Sequence, residues 1–349
     1  MVSPQPVFSL KYFQFHKNKL PKNVKRLFYL SWEDGLWDIL IKKKIEKGSY
    51  ILTPDFYCAD VEKNILLHGY KIINYKFNKD LSVDKNDFEN KINKFDPKVI
   101  VIFHPVGIKT NLIDNVKWLK KVTGLRVLVE DCVHGIIDPK EVNIIKKDHF
   151  IIDSLRKVLP LQGSNVYGRA EDLEFLTPPF YQSFFYSVKV NILWFLMVLA
   201  WSLKLGRMGE KLMLRGYSLI GDSTFPASGS FISNILSIRI NIKKIRDIKK
   251  RQSSYYEKKL GSALPQKLLI SERDKGNLRG YPLILPGSIA PKVLKSLRDK
   301  GLLVRFELND SDWSKRQKII YLPLGVYMTK RQQAQVTELS YNILNAQIK

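Results

Sequence analysis

Apolar segments alternate with amphipathic segments between about residues 34 and 170. Apolar residues at helical spacing predict helices over residues 34–46, 59–68, 84–94 and 111–122. Short apolar runs between them predict strands over residues 49–54, 71–77, 98–105, 125–131 and 149–154. Strands that alternate with helices indicate parallel β-α-β units, so we expect a mostly parallel sheet covered by helices on both faces.

The last third of the chain has a different pattern. Residues 234–260 predict one long, basic, amphipathic helix, and Gly261 fits its end. The following segments predict a β-α-β-β arrangement and a closing helix from about Lys330. We therefore expect a large domain over residues 1–233, followed by a linker helix and a small C-terminal α+β domain over residues 234–349.

Residues 180–205 are strongly apolar, but their uninterrupted core from Ile192 to Trp201 is only ten residues long. A membrane span needs about 20 such residues. The segment is therefore expected to be a helix buried in the core or in a dimer interface. The alternative is a helix lying on a membrane surface, because Lys189, Lys204 and Arg207 flank it. This alternative predicts peripheral membrane contact through residues 184–205.

The chain has 349 residues and a net charge of +25, which attracts anions. Its Lys and Arg residues are scattered and no nucleic-acid motif accompanies them, so nucleic acid is not an expected partner. An equally good interpretation is a basic surface without a specific role. Cys58 and Cys132 form neither a disulfide scaffold nor a metal-ligand spacing, so we expect no metal site. The first residues lack the layout of a signal peptide, which predicts a cytoplasmic protein.

Two residues at predicted strand ends suggest chemistry. In parallel sheets of this kind, ligands bind beyond the carboxyl ends of the strands. Asp131 ends one strand and could pair with a protonated ring nitrogen. Lys157 follows the next strand, where a partly desolvated amine can attack a carbonyl. Taken singly, Asp131 is better explained as a helix cap or solvated acid, and Lys157 as a surface lysine, so only their combination is informative.

That combination resembles a known family. The segments VLVEDCVHG and FIIDSLRKVLPLQGSNVYG are similar to the DegT/DnrJ/EryC1/StrS sugar aminotransferases, in particular to the branch with a Ser-Leu-Arg-Lys-x-Leu-Pro motif. Residues 48–77 resemble the family's GDxVLxPxYxC stretch. Residues 249–256, LRDKGLLV and IIYLPLGVYMTKRQ resemble its linker helix and C-terminal pieces. The resemblance covers about residues 30 to 340 and is weak over residues 170–225.

The resemblance implies fold type I of the enzymes that use pyridoxal 5′-phosphate (PLP): a mostly parallel sheet in an α/β/α sandwich plus a small C-terminal α+β domain. It implies a PLP-dependent aminotransferase, usually a homodimer. The amino donor would be glutamate, and the substrate a nucleotide-linked keto-sugar used for surface polysaccharide or O-antigen.

The resemblance also assigns roles to individual residues. Lys157 would bind the cofactor covalently and later shuttle protons at the substrate carbon. Asp131 would pair with the pyridine nitrogen, and Ser154 would bind the phosphate. The two other positions are less defined: His134 would lie near the cofactor ring or its phenolic oxygen, and one of three consecutive residues would lie on the ring face, namely Phe56, Tyr57 or Cys58.

One departure from the family motivates an alternative. The family's first helix usually follows a Ser-Gly-Thr or Ser-Gly-Arg stretch that contributes to the phosphate cup, whereas this chain has Ser31-Trp32-Glu33-Asp34-Gly35. Two acids beside a phosphate are unfavourable. The alternative is a non-catalytic relative that binds a sugar nucleotide or a partner protein without turnover.

Overall fold

The computed structural model describes residues 6–174, 176, 184–220 and 225–348. Within these residues the strands are β1 (Val24–Tyr29), β2 (Tyr50–Pro54), β3 (Lys71–Tyr75), β4 (Val99–Phe103), β5 (Val127–Asp131), β6 (His149–Ile152), β7 (Ser164–Arg169), β8 (Tyr281–Pro286), β9 (Phe306–Glu307) and β10 (Gln317–Leu322). The helices are α1 (Trp32–Lys42), α2 (Ala59–Leu67), α3 (Lys85–Phe95), α4 (Val116–Thr123), α5 (Ala170–Leu173), α6 (Phe184–Ser202), α7 (Gly206–Ile220), α8 (Phe231–Ser237), α9 (Ile242–Leu260), α10 (Ala290–Asp299) and α11 (Lys330–Ile348).

Strands β1 to β7 form one twisted sheet in the order β1-β7-β6-β5-β4-β2-β3. The five strands from β3 to β6 in this order are parallel, and β7 runs antiparallel to both of its neighbours. Every residue of β4 is buried, as expected of a strand in a sheet with both faces covered. The predicted parallel sheet is therefore confirmed, and the carboxyl ends of its strands lie at one edge.

Two strands of this sheet were not predicted. β1 mixes polar and apolar residues (VKRLFY) because it lies at the edge of the sheet. The sequence pattern indicates a glycine-containing turn over residues 163–165. This prediction is wrong for residues 164 and 165, because β7 begins at Ser164. Gly163 itself has φ of +141°, and a Cβ there would lie 2.2 Å from the Phe28 ring of β1. The glycine thus lets the chain turn from the β6 end into β7.

The C-terminal elements surround a separate apolar core. The antiparallel sheet β8-β10-β9 packs with α10 and α11, and Tyr256 and Leu260 of α9 join the same core. The single helix predicted over residues 234–260 is wrong, because α8 ends at Ser237 and α9 begins at Ile242. Between them, Ile240 pairs with Phe13, and Asn241 caps α9. The domain boundary predicted after residue 233 stays a prediction.

Helices α6 and α7 form an antiparallel pair, which we call the α6–α7 hairpin. Gly209 and Gly216 of α7 allow close approach to Trp201 and Trp194 of α6, and a Cβ on Gly209 would lie 2.8 Å from the Trp201 ring. Residues 180–183 of the predicted apolar segment lie outside the described residues. Helix α6 is long and apolar enough to cross a membrane by length and composition, but only 33% of its most apolar window is buried. A core helix would be mostly buried. The predicted burial in the core therefore does not explain the exposed face of α6.

Candidate active site

The parallel pairing of β5 and β6 brings the two predicted chemical groups to one edge of the sheet. Asp131 is the last residue of β5 and lies opposite Ile152 of β6. β6 is followed by a tight turn in which the carboxylate of Asp153 accepts hydrogen bonds from the backbone N–H and side-chain amide of Asn165, at 2.7 and 2.8 Å. This fixed turn leads directly into the single helical turn Leu155–Lys157.

Asp131 and Lys157 line the same cavity of about 500 Å³. Four other residues that the resemblance singles out also line it: Tyr57, Cys58, His134 and Ser154. Phe56 is not among the described lining residues. It is fully buried, and its ring lies 4.5 Å from that of Trp313. The structure therefore brings together all the residues of the predicted site except Phe56.

The Asp131 carboxylate is buried and held by two hydrogen bonds. It accepts one from the Tyr57 hydroxyl at 2.7 Å and one from the backbone N–H of Val133 at 3.0 Å. Burial raises the pKa of Asp131 to about 6, although both hydrogen bonds act against the increase. At neutral pH the group is an anion in an apolar surrounding, which suits a cationic partner in the cavity.

His134 is neutral and its tautomer is defined by its partners. Burial and the nearby positive charge of Lys157 lower the pKa of His134 to about 3. Its Nδ1 accepts a hydrogen bond from the backbone N–H of Val106 at 3.2 Å, so the proton lies on Nε2. Nε2 is 3.2 Å from a Glu307 carboxylate oxygen and 3.5 Å from Lys157 Nζ. The imidazole thus donates to a carboxylate of the C-terminal sheet and lies beside the lysine, with no lone pair on Nε2 to accept a hydrogen bond from it.

Glu307 and Arg279 complete this arrangement, and the sequence analysis missed both. Glu307 lies in β9 and forms a buried ion pair with Arg279, with Nη1 to Oε1 at 2.6 Å. Burial would raise the pKa of Glu307, but the Arg279 guanidinium and the contact with His134 together hold it well below its usual range. The predicted strand over LLVRFEL is reduced to Phe306–Glu307, and sequence alone gave no signal that its acid contacts His134.

Three further cavity residues were missed by the sequence analysis. Arg156 belongs to the motif that carries the resemblance, so its position next to Lys157 was a signal that could have been used. Tyr217 lies in α7, where the resemblance is weak. Trp32 precedes the two acids of α1, and its ring packs edge-on against that of Tyr57 at 6.2 Å.

A second polar cluster lies behind Asp131. The side-chain atoms of His104, Glu130 and Cys132 that could hold a metal ion lie within 4.8 Å of one another. The Nδ1 atom of His104 accepts the Thr110 N–H, so the proton of the neutral ring is on Nε2, which donates to Glu130 at 2.8 Å. A protonated Nε2 is not a metal ligand. The cluster therefore fixes the end of β5, and the absence of a metal site stays a prediction.

Comparisons with known proteins establish the fold. No protein-family model and no curated protein sequence matches the chain. Among solved structures, Helicobacter pylori PseC, an aminotransferase involved in the biosynthesis of pseudoaminic acid, is similar over 96% of this chain and 100% of its own, at 13% identity and a TM-score of 0.60. DesV of S. venezuelae covers 91% of this chain and 84% of its own, at 11% identity and a TM-score of 0.61.

A third similar structure is NtdA of Bacillus subtilis with the bound cofactor PMP, which covers 92% of this chain and 73% of its own at 13% identity and a TM-score of 0.60. At these identities the likeness defines the class of fold. The chain has the fold of PLP-dependent aminotransferases, and the predicted fold class, fold type I, is confirmed.

The buried position of Asp131 predicts a pH dependence of stability. Its pKa in the folded protein is raised from 3.8 to about 6, so its stabilising contribution is complete below about pH 4 and is lost as pH rises through about 6. We expect the cofactor-free wild type to lose roughly 2–3 kcal/mol of unfolding free energy relative to Asp131→Asn between about pH 4 and about pH 7. Urea unfolding of both proteins across this range measures the difference. A difference that moves in the opposite direction would show that the folded protein favours the Asp131 anion.

Proposed function

We propose that the protein is a PLP-dependent aminotransferase of the DegT/DnrJ/EryC1/StrS family. It transfers an amino group from glutamate to the keto group of a nucleotide-linked sugar for surface polysaccharide or O-antigen. The observation that carries the proposal is the position of Asp131 and Lys157, which come from adjacent strand ends and line one cavity. The low identity of the similar structures establishes the fold alone, so the activity rests on these residues together with the sequence resemblance.

The residues of the cavity fit PLP. A buried carboxylate at Asp131 suits the protonated pyridine nitrogen, and Lys157 supplies an amine for covalent attachment. Arg156 beside it is a buried cation whose Nε and Nη1 atoms have no hydrogen-bond partner among the described residues. Two acids of this cavity disfavour a phosphate near them, namely Glu33 at the start of α1 and Asp60 of α2. When bound, PLP supplies a carbonyl for the amine and a ring that withdraws electrons.

The chain's own residues position these groups and handle the protons. Tyr57 and Val133 hold the Asp131 carboxylate in place through their hydrogen bonds. His134 directs its Nε2 proton at Glu307 and is neutral at neutral pH, so it lies beside Lys157 without competing with it for protons. The Lys157 amine is the base that accepts a proton at the substrate carbon and returns it. Trp32, Tyr57 and Phe103 form an aromatic wall that excludes water.

The net charge of the chain supports an anionic substrate. The cavity itself is lined by three bases (Lys63, Arg156 and Lys157) and three acids (Glu33, Asp60 and Asp131), so the attraction comes from the whole chain, which carries a net charge of +25. A nucleotide-linked sugar brings a diphosphate, which such a field attracts.

Lys157→Ala tests the proposed chemistry. We expect it to abolish amino transfer from glutamate to a panel of nucleotide keto-sugars, measured as formation of 2-oxoglutarate and of the amino-sugar by chromatography. Lys63→Ala is the matched control, because Lys63 also lines the cavity but is exposed on α2. We expect this control to keep the covalent chemistry. An undiminished rate in Lys157→Ala would contradict the proposal and favour a non-catalytic relative.

We also propose that the protein is a cytoplasmic homodimer that contacts a membrane peripherally through residues 184–205. One face of α6 packs in the fold through Val190, Trp194 and Met197. The opposite face exposes large apolar side chains, among them Phe185, Ile192 and Phe195, which are 85%, 54% and 67% exposed. An apolar face of this size marks an interaction site.

The charges around this face favour an anionic lipid surface. Residues 184–220 contain five basic residues and a single acid, Glu210. Glu210 is paired with Arg298, so it does not offset the positive charge at the surface. A helix with an exposed apolar face and a basic rim is typical of binding in the plane of a membrane interface.

Phe195→Glu tests the membrane contact. We expect the wild type to co-sediment with vesicles that contain phosphatidylglycerol, and Phe195→Glu to lose most of this binding because it places a charge on the apolar face. Leu125→Glu is the control, since Leu125 is fully exposed but lies before β5, outside the α6–α7 hairpin. Equal loss in both variants would contradict the proposal. A change from dimer to monomer in Phe195→Glu, measured by light scattering, would assign the face to the second subunit instead.

A further inference from the structure

Arg156 is a buried cation without an anionic partner. Its side chain is 92% buried, as only 8% of the residue is exposed. The Nε and Nη1 atoms have no hydrogen-bond partner, and no ion pair to Arg156 occurs among the described residues. The guanidinium packs against two aromatic rings, with its central carbon 4.4 Å from the Tyr217 ring and 5.2 Å from the Trp194 ring. Burying a guanidinium without an anion or acceptors costs free energy.

Other guanidinium groups in this region have partners. Arg279 is as buried as Arg156 but forms the 2.6 Å ion pair with Glu307. Arg26 donates hydrogen bonds to the side chains of Asn165 and Ser237. The fold therefore supplies acceptors for these two groups and leaves Arg156 to a ligand that is itself an anion.

The surroundings of Arg156 are electropositive. Burial alone would raise the pKa of the Tyr217 hydroxyl, but the surrounding positive charges, those of Arg156 and Arg305 foremost, together outweigh burial and lower the pKa to about 7. The Arg305 guanidinium lies 5.6 Å from the Tyr217 ring. Positive charges that lower the pKa of this hydroxyl also attract a phosphate.

The usual anion site of such a cavity is blocked in this chain. Helix N-termini bind anions through their free backbone N–H groups. The N-terminus of α1 lies at the cavity, but it carries the carboxylate of Glu33, which is 8% exposed and lines the same space. The Ser31 hydroxyl already accepts the Asp34 N–H at 3.2 Å, so one N–H group of this helix end is occupied. An anion bound there would also lie beside the Glu33 carboxylate, which disfavours it.

We propose that Arg156 binds the phosphate of the cofactor and replaces the N-terminus of α1 in this role. The identity of the cofactor rests on the proposed function. A guanidinium matches phosphate because it donates parallel hydrogen bonds to two oxygens. The Ser154 hydroxyl, two residues before Arg156, lines the same cavity and gives a second donor. Trp194 and Tyr217 hold the guanidinium, so the α6–α7 hairpin positions the phosphate site.

The test compares PLP with pyridoxal, which lacks the phosphate. Dissociation constants are measured by visible absorbance for the wild type, Arg156→Met and Arg305→Met, and borohydride reduction with mass mapping locates each adduct. We expect Arg156→Met to weaken PLP binding by about 10- to 100-fold. Its affinity for pyridoxal, and the adduct on Lys157, should stay as in the wild type. Arg305→Met should weaken PLP binding by a few-fold at most, since Arg305 is not among the described lining residues.

Thermal unfolding of the cofactor-free proteins provides a second readout. Arg156 lacks a partner in the described fold, so we expect Arg156→Met to unfold at or above the wild-type temperature. Inorganic phosphate should raise the unfolding temperature of the wild type and leave that of Arg156→Met unchanged.

Three results would overturn the inference, and they differ in what else they remove. If Arg156→Met keeps the wild-type preference for PLP over pyridoxal, Arg156 does not bind the phosphate, while the proposed function stands. If the wild type forms no adduct on Lys157 with either compound, the proposed function fails and the inference fails with it. A lower unfolding temperature for cofactor-free Arg156→Met would show instead that Arg156 has a structural role.

Discussion

The parallel pairing of β5 with β6 is the constraint on which the site depends. Both strands are buried and apolar, and their pairing fixes Asp131 opposite Ile152. The register leaves no freedom in where the two strands end, because a shift by one residue would turn every side chain to the other face. The Asp153–Asn165 hydrogen bonds then fix the turn that carries Lys157. The distance between carboxylate and amine is thus a property of the sheet.

The remaining geometry of the site comes from the C-terminal elements. The backbone N–H of Arg279 donates to the carbonyl of Val106 at 3.1 Å, and its side chain pairs with Glu307. Gly107 allows this approach, because a Cβ there would lie 2.6 Å from the carbonyl oxygen of Asn277. His134 donates to Glu307 and lies beside Lys157. A buried ion pair of this kind contributes little net stability, so its value lies in orienting the imidazole next to the lysine.

Much of the fold could be predicted because its central strands are continuous apolar runs with a clear period. The same strand ends located Asp131 and Lys157, and the intervening motif located His134 and Ser154. Edge strand β1 escaped prediction because its polar residues hide the pattern, whereas the strand predicted over LLVRFEL is present only as the short β9. Arg279 and Glu307 could not be found, since their role depends on how two sheets meet. The exposure of α6 could not be predicted either, because periodicity cannot separate an apolar helix in a core from one on a surface.

The altered start of α1 and the unpaired Arg156 have one explanation in this account. Glu33 removes a helix N-terminus from anion binding, and Arg156 supplies a cation on the segment that carries Lys157. A buried cation without a hydrogen-bond or ion-pair partner costs free energy in the empty protein. Its presence therefore favours a protein that binds an anionic ligand over one that has lost its cofactor.

The most direct test of the central claim is the visible absorption spectrum of the purified protein with PLP, recorded before and after borohydride reduction, with mass mapping of the reduced adduct. The account predicts a yellow band that borohydride removes and an adduct located on Lys157. A colourless protein, or an adduct on surface lysines alone, would contradict it and would leave a protein that keeps the fold without the cofactor.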